Sequence, residues 1–312
     1  MILWTILSRL GDVHDILIVV RKRSIAGVFK KMKYIKVMRM KHYIKNVLIF
    51  VPLFFSQNIF DMDKITASII GCISFCLISS SIYIINDLND VEKDKLHPTK
   101  CKRPIASGAV TKQMATLIAA ICSIAGIVLN IVCGNTRSVF LIGVYFVLNI
   151  LYSWKLKNVP IIDVVILTSG FLIRVLYGAA ITNIEISNWL YLTVIAGAFY
   201  MGLGKRRNEL KKQKDQKMTR EVLTYYTYAF LDKNMYVCLA LTNTFYALWA
   251  MSHENEKMIW TVPLIIIILM KYSLDIEGES DGDPVEVLIK DKMLIVLCGI
   301  CGIAMVALLY WF

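Results

Sequence analysis

The sequence has little of what a water-soluble protein needs. Only 19% of its 312 residues are charged, and hydrophobic residues make up 57%. With a mean hydropathy of +0.60, this scarcity of charge excludes a soluble globular domain. No internal repeat, low-complexity tract or second soluble domain is visible, and no signal peptide with a small-residue cleavage site is expected. We therefore expect an all-α, polytopic membrane protein.

Apolar runs long enough to cross a hydrocarbon core predict about nine transmembrane helices, the first and fourth of them short or interrupted. The runs are 47–60, 65–85, 112–133, 138–152, 161–181, 186–203, 235–251, 258–274 and 293–311. Residues 1–45 are expected to form an amphipathic and basic segment at the membrane surface, in contact with lipid headgroups. Residues 46–312 would then be the transmembrane catalytic domain.

Basic residues indicate the sidedness, because Lys and Arg accumulate in cytoplasmic loops. Residues 21–45 contain ten cations and no acid, which places the amino terminus inside. Counting spans from there, the loops at 86–111, 153–160, 204–234 and 275–292 also lie inside, and the carboxyl terminus outside. We expect a multi-pass protein of the inner cell membrane, with a single cytoplasmic-side chamber for a water-soluble substrate.

A group of acids stands where the second apolar run meets water. If the helix continues at about 100° per residue, four side chains fall within roughly a 100° arc: Asn86, Asp87, Asp90 and Asp94. Hard oxygen ligands of this kind suit Mg²⁺ that carries a substrate's phosphates. The plainer alternative is a solvated acidic helix end, balanced by Lys93 and Lys95.

Cations follow on the same predicted face. Arg103 is our favoured diphosphate contact, because its planar fork matches phosphate. Residues 204–220 contain eight cations against two acids, which predicts a bound anion there. Asp283 stands directly before Pro284, where it can cap the helix that the proline begins. On the fifth span, Arg174 lies between Gly170 and Gly178, and we interpret it as a structural or snorkelling residue.

At this point the residues resemble a known family. The pattern Asn86-Asp87-x-x-Asp90-x-x-x-Asp94, followed by Arg103-Pro104-Ile105 and Gly108, is similar to the first aspartate motif of the UbiA-type intramembrane prenyltransferases. The resemblance covers about residues 40–312. It implies an all-helical enzyme, usually of nine spans, that binds a substrate diphosphate through Mg²⁺, with Asp87, Asp90 and Asp94 as catalytic and metal-binding residues.

One departure from that family is informative. Typical members carry a second aspartate-rich motif after the sixth span, whereas this chain has Gly204-Lys205-Arg206-Arg207-Asn208-Glu209-Leu210. With Lys41-x-x-x-Lys45-Asn46, Tyr152-Ser153, Leu156-Lys157 and Gly282-Asp283-Pro284-x-Glu286, this resembles the polyprenyl-phosphate phosphoribosyltransferase branch. A polyprenyl phosphate and a ribose 5-phosphate both need cations, which an aromatic acceptor does not.

This resemblance implies a Mg²⁺-dependent transfer of 5-phosphoribose from phosphoribosyl pyrophosphate to a polyprenyl phosphate, with release of pyrophosphate, in cell wall biosynthesis. It implies the following substrate-binding residues: Lys45, Asn46, Asn86, Arg103, Tyr152, Lys157, Lys205 and Arg206. No nucleic-acid partner is expected, and the oligomeric state stays open, a homo-oligomer included.

Two other functions stay open at this stage. A prenyltransferase that acts on an aromatic or haem-like acceptor would be favoured if the cations of residues 204–210 faced away from the cavity. A non-enzymatic lipid carrier or transporter is disfavoured, because polar residues concentrate at one face and not near the bilayer midplane.

Overall fold

A computed structural model of the chain describes residues 33–97, 99–213, 220–278 and 282–311. The basic and amphipathic segment predicted for residues 1–45 lies mostly outside these residues, so that prediction stays untested. The chain divides into two compact units. The described part of the first unit is 33–41 with 80–122, and the second unit holds 42–79 and the chain from 123 onward.

All regular structure in the described residues is helical. The α-helices are α1 (Val51–Phe55), α2 (Met62–Asn89), α3 (Val91–Lys95), α4 (Lys112–Cys133), α5 (Thr136–Trp154), α6 (Ile162–Thr182), α7 (Asn188–Gln213), α8 (Tyr228–Met251), α9 (Thr261–Glu277), α10 (Pro284–Lys290) and α11 (Lys292–Tyr310). Short 3₁₀ helices lie at Lys100–Lys102, Leu156–Asn158, Glu221–Tyr225 and Glu256–Trp260, and a long one at Met40–Phe50. The predicted all-α class is confirmed.

Six helical stretches of the described chain are long and apolar enough to cross a membrane: α2, α4, α5, α6, α11 and the continuous stretch Glu256–Glu277. Large apolar side chains stay exposed along them, such as Ile124 and Val132 on α4 and Ile303 on α11. Exposed apolar surface of this extent belongs against lipid, so the chain is an integral membrane protein. α7 and α8 are also long, and the total of nine spans stays a prediction.

The first predicted span, 47–60, is not one continuous helix. The 3₁₀ segment Met40–Phe50 runs directly into the five-residue α1, and Pro52 lies in the first turn of α1. A proline is tolerated there because the first backbone N–H groups of a helix have no partner inside it. The expected interruption is therefore present.

The first unit has its own small core. Buried side chains from α2, α3 and the following loop pack together, including Ile84, Val91, Ile105 and Val110. This core ties the carboxyl end of α2 to the loop that follows α3, so the polar residues of both are held in fixed positions.

The second unit is a helical bundle in which small residues allow close packing. Ser74 Oγ of α2 donates to the backbone O of Gly126 on α4 at 2.7 Å. Near the carboxyl end of α7, a larger core holds Tyr200, Leu231 and Ile276 fully buried. The end of α7 that carries the predicted anion-binding cations is therefore anchored on several helices.

Candidate active site

Two of the three predicted metal-binding aspartates share one side of the helix. Across the junction of α2 and α3, backbone hydrogen bonds run from Asp90 N–H to Asn86 O (3.0 Å) and from Asp94 N–H to Asp90 O (2.8 Å). The helical path is nearly continuous, so Asp87 and Asp94, about two turns apart, face the same way. Both are only 4% exposed, while Asp90 is half-buried at the junction.

Two guanidinium groups hold these carboxylates. Nη1 of Arg103 donates to Asp87 Oδ1 at 3.1 Å and to Asp94 Oδ2 at 2.6 Å. Arg39 forms a two-bond pair with Asp87, in which Nε donates to Oδ2 at 3.2 Å and Nη2 donates to Oδ1. Ion pairs of this kind offset the cost of burying a carboxylate.

Arg39 is one of ten cations in a basic run, so nothing in the sequence distinguishes it as a partner of Asp87. Its backbone has φ +53°, the left-handed conformation of a residue that ends a helix, and its N–H donates to Lys36 O at 3.2 Å. That conformation costs about 1 kcal/mol for a residue other than glycine. The pair with Asp87 offsets this cost.

The acidic cluster, Asn86, Asp87, Asp90 and Asp94, fits a hard divalent cation. Asn86 Oδ1 is buried and accepts no hydrogen bond from the part of the chain that the structure describes. Mg²⁺ usually takes one or two carboxylates and completes its shell with water and phosphate oxygens. Within the described ranges, no three His, Cys, Asp or Glu side chains already surround one point. The cluster therefore suits a metal that arrives with substrate phosphates better than one caged by protein alone.

The loop after α3 returns Arg103 to the acidic cluster. His97 Nδ1 accepts the backbone N–H groups of Thr99 and Lys100 at 3.3 and 3.4 Å, which tightens the start of the loop. Arg103 itself is extended, with ψ 142°, as the residue before a proline must be. The predicted diphosphate contact therefore lies against two of the predicted metal ligands.

In the second unit, two predicted phosphate ligands share one carboxylate. Nζ of Lys45 and Nζ of Lys205 donate to Asp283 Oδ2 at 3.1 and 3.0 Å. Asp283 Oδ1 accepts the N–H of Val285 at 3.1 Å, which confirms its predicted role as a helix cap. Gly282 has φ +69°, and a Cβ there would lie 3.0 Å from Lys205 Cα, so only glycine brings Asp283 this close to α7. These residues, Lys45, Lys205 and Asp283, form the basic cluster.

Charge is unbalanced in the basic cluster, with two ammonium groups on one carboxylate. Burial, followed by repulsion from Lys205, lowers the pKa of Lys45 to about 8, although Asp283 partly opposes this shift. The two lysines in turn hold the pKa of Asp283 well below its usual range, despite its burial. A site with a surplus cation whose proton is loosely held favours an additional anion.

Three consecutive cations on α7 point in different directions, as the 100° step of a helix requires. Lys205 joins the basic cluster. Arg206 is 1% exposed and donates to Asp163 at 2.6 Å and Glu209 at 2.7 Å. Arg207 pairs with Asp232. Of these three cations, Lys205 alone lies in the basic cluster, while Arg206 and Arg207 pair with acids of this chain.

The remaining predicted ligands lie in separate surroundings. Tyr152 Oη accepts from Arg206 at 3.0 Å and from Arg220 at 3.2 Å. Lys157 is half-buried in the 3₁₀ turn Leu156–Asn158. Asn46 is completely buried beside Lys45. Its amide donates to Cys76 Sγ at 3.0 Å.

Residues 47–288 match the model of the UbiA prenyltransferase family. The chain belongs to this family. It is 33% identical to decaprenyl-phosphate phosphoribosyltransferase of Mycolicibacterium smegmatis over 281 residues, which cover 84% of this chain and 88% of that protein. It is 34% identical to the protein of the same name from Corynebacterium glutamicum over 274 residues, 84% of this chain and 82% of that protein.

A solved structure supports the same fold. The UbiA homolog from Archaeoglobus fulgidus bound to GPP and Mg²⁺ matches with a TM-score of 0.68 at 18% identity, covering 88% of this chain and 99% of that one. A structure of the same homolog is bound to Cd²⁺ and has a TM-score of 0.65. The likeness establishes a UbiA fold here, and divalent cations are the metals bound in those homologs.

This UbiA protein also has a cavity of about 210 Å³ near the amino end of α7. Its lining includes Phe55, Glu185 and Trp249. Leu190, which also lines it, is 15 residues from Lys205, or about 22 Å along the helix. The cavity is therefore distinct from the basic cluster.

Proposed function

We propose that the protein transfers 5-phosphoribose from phosphoribosyl pyrophosphate to a polyprenyl phosphate and releases pyrophosphate. The observation that carries the proposal is the basic cluster, where Lys45 and Lys205 share the single carboxylate of Asp283. A surplus of positive charge at this point suits a phosphate-bearing substrate and has no use for an uncharged aromatic acceptor. The similar proteins from M. smegmatis and C. glutamicum bear the name of this activity.

The acidic cluster is assigned to the pyrophosphate group. Asp87, Asp90 and Asp94 would hold Mg²⁺, which neutralises charge on the departing pyrophosphate when it is bound. Arg103 already bonds both buried carboxylates, so a modest movement would let its guanidinium contact a phosphate oxygen instead. Asn86 Oδ1, which has no hydrogen-bond partner among the described residues, supplies one further oxygen.

The basic cluster is assigned to a second phosphate. The acceptor phosphate is largely ionised at neutral pH, since the second pKa of a phosphate monoester is about 6. Its oxygen forms the new bond to the anomeric carbon while the bond to pyrophosphate breaks and its electron pair leaves with pyrophosphate. No proton has to be removed from the nucleophile. Lys45 and Lys205 thus act by orienting the phosphate and by stabilising its charge.

Four other residues stay in the proposal as predicted ligands: Asn46, Tyr152, Lys157 and Arg206. Of the two cations on α7, we favour Lys205 as the direct contact, because the Arg206 guanidinium is buried among Asp163, Glu209 and Tyr152. Arg206 then supports the site by fixing Tyr152. We place the protein in the inner cell membrane with both clusters at the cytoplasmic side, as the charge distribution predicts.

The proposal is tested by incubating the purified protein in detergent with Mg²⁺, radiolabelled phosphoribosyl pyrophosphate and a short polyprenyl phosphate. We expect a labelled lipid and released pyrophosphate. A parallel reaction receives a polyprenyl diphosphate and an aromatic acid. If only that reaction gives product, the phosphoribosyl transfer is wrong and aromatic prenylation takes its place.

Asp87→Asn tests the assignment of the acidic cluster in the same assay. We expect product formation to fall at least about 100-fold, because a neutral amide cannot balance the metal and two guanidinium groups. EDTA should stop the wild-type reaction and Mg²⁺ should restore it. Glu92→Gln is the control, since Glu92 is exposed and pairs with Lys95 at the surface. Equal activity of both variants would contradict the assignment.

A further inference from the structure

Arg174 is a buried cation of the membrane domain that has no acidic partner among the described residues. It lies on α6, one of the helices able to span a membrane, and is 4% exposed. Among the residues that the structure describes, no carboxylate forms an ion pair with it. Burying an uncompensated guanidinium is costly, and such residues in membrane helices generally serve function.

The hydrogen bonds of Arg174 reach the segment that carries Lys45. Nε donates to Asn46 Oδ1 at 2.7 Å. Nη2 donates to Tyr145 Oη at 2.9 Å, and Nη1 donates to Gly170 O at 2.5 Å. The rings of Phe75 and Tyr145 each lie 5.0 Å from the guanidinium carbon. Aromatic faces and neutral acceptors thus take the place of a counter-charge. The guanidinium group instead holds the side-chain amide of Asn46.

The Met40–Phe50 segment needs such a support. It is a 3₁₀ helix of 11 residues, whereas 3₁₀ helices rarely exceed three or four because their hydrogen-bond geometry is poor. α6 supports the segment at three points, one of which is Arg174. The Phe171 ring lies 6.0 Å from Lys45 Nζ, and Gly178 meets the backbone of Ile49.

We propose that Arg174 is a positioning residue, which fixes the 3₁₀ segment through Asn46 so that the Lys45 ammonium group lies at Asp283 and Lys205. The inference rests on the proposed role of Lys45 as a phosphate ligand. It replaces the interpretation of Arg174 as a structural ion-pair or snorkelling residue, because the side chain forms no ion pair within the described chain and stays buried.

Arg174 also acts on Lys45 by its charge. The charged groups facing Lys45 are Lys205 from α7, Asp283 from the turn before α10 and Arg174 from α6. Arg174 contributes to lowering the pKa of Lys45, after burial and Lys205. A change at position 174 should therefore alter how Lys45 titrates, which a residue needed only for packing would not do.

The test compares Arg174→Gln, Arg174→Lys and the exposed control Arg137→Gln in steady-state kinetics from pH 7 to 9.5. For Arg174→Gln we expect the KM for the phosphate substrate that Lys45 binds to rise about 10-fold, the scale of one lost charge-assisted contact, with kcat within about threefold. The fall of kcat/KM at high pH should move to higher pH. Arg174→Lys keeps the charge and should raise KM without moving that limb.

Lys45→Ala separates a failure of this inference from a failure of the proposed function. If Lys45→Ala leaves both substrates' KM unchanged, the role of Lys45 is wrong. If Lys45→Ala raises KM but Arg174→Gln and Arg174→Lys do not, the positioning role is wrong. Should Arg174→Gln not fold, Arg174→Lys and the double variant with Lys45→Ala decide. If Arg174 acts only by positioning Lys45, the double variant should have the same substrate KM as Lys45→Ala. If the two residues act independently, the increases in KM of the single variants should combine in the double variant.

Discussion

Side chains of the basic cluster come from distant parts of the chain. Lys45 and Asp283 are 238 positions apart, and Asp283 is otherwise an ordinary helix cap. The excess of cations in residues 204–220 predicted an anion site that includes Lys205, and the family resemblance implied Lys45 as a substrate ligand. Their shared partner, Asp283, could not be predicted. No periodic pattern in the sequence links the turn before α10 to α7, which lies near the middle of the chain.

Lys205→Ala and Arg206→Ala should affect different properties, the first substrate binding and the second stability. Lys205→Ala removes a partly exposed ammonium group, so we expect substrate KM to rise by on the order of 10- to 100-fold with little change in melting temperature. Arg206→Ala leaves Asp163 buried without its charged partner, which costs about 3–5 kcal/mol and should lower the melting temperature. The exposed Lys211→Ala is the control in both measurements. If Lys205→Ala has the substrate KM of the wild type, Lys205 is not a substrate ligand.

Activity should depend on the proton of Lys45. Its pKa is lowered from 10.5 to about 8, so the charged form that binds phosphate is lost as the pH rises through that value. We expect kcat/KM to fall roughly fivefold between pH 8 and 9, because this ratio reports the free enzyme. Lys45→Arg stays charged throughout and should flatten the profile. An unchanged profile in this variant would assign the titration to another group.

At the scale of elements, apolar runs predicted the long helices well, because a membrane leaves the backbone few alternatives to a helix. The run 65–85 lies within Met62–Asn89, and 161–181 corresponds to Ile162–Thr182. The 3₁₀ conformation of Met40–Phe50 could not be predicted. Its apolar content is that of a helix, and its conformation depends on contacts with α6 from a distant part of the chain.

Gly178→Ala tests the packing of this segment on α6. A Cβ at Gly178 would lie 1.9 Å from Ile49 O, so the 3₁₀ segment must move, and we expect a loss of about 1–3 kcal/mol together with a higher substrate KM. At Gly143 on α5, an added Cβ would meet no described atom of another element within 4 Å, so Gly143→Ala should stabilise its helix by about 0.5–1 kcal/mol. Equal melting temperatures for the two variants would contradict this packing.

At the scale of the whole molecule, composition alone predicted a membrane protein, and the exposed apolar side chains of α4 and α11 agree with that prediction. Sidedness rests on a different physical cause, the retention of Lys and Arg on the cytoplasmic face during insertion. Both clusters bind phosphates in the proposed reaction. Phosphoribosyl pyrophosphate is highly charged and cannot cross a bilayer, so both clusters have to face the cytoplasm, where we expect this substrate. The two arguments therefore require the same orientation.

Ser107 and Ser252 allow that orientation to be measured. Both are exposed, and they lie in loops predicted to face opposite sides of the membrane, 86–111 inside and 252–257 outside. In a cysteine-free background, we expect an impermeant maleimide added to intact cells to label Ser252→Cys but not Ser107→Cys. Opened membranes should allow both to react. Labelling of Ser107→Cys in intact cells would invert the topology and place the acidic cluster away from any cytoplasmic phosphoribosyl pyrophosphate, so the proposed function would fall with it.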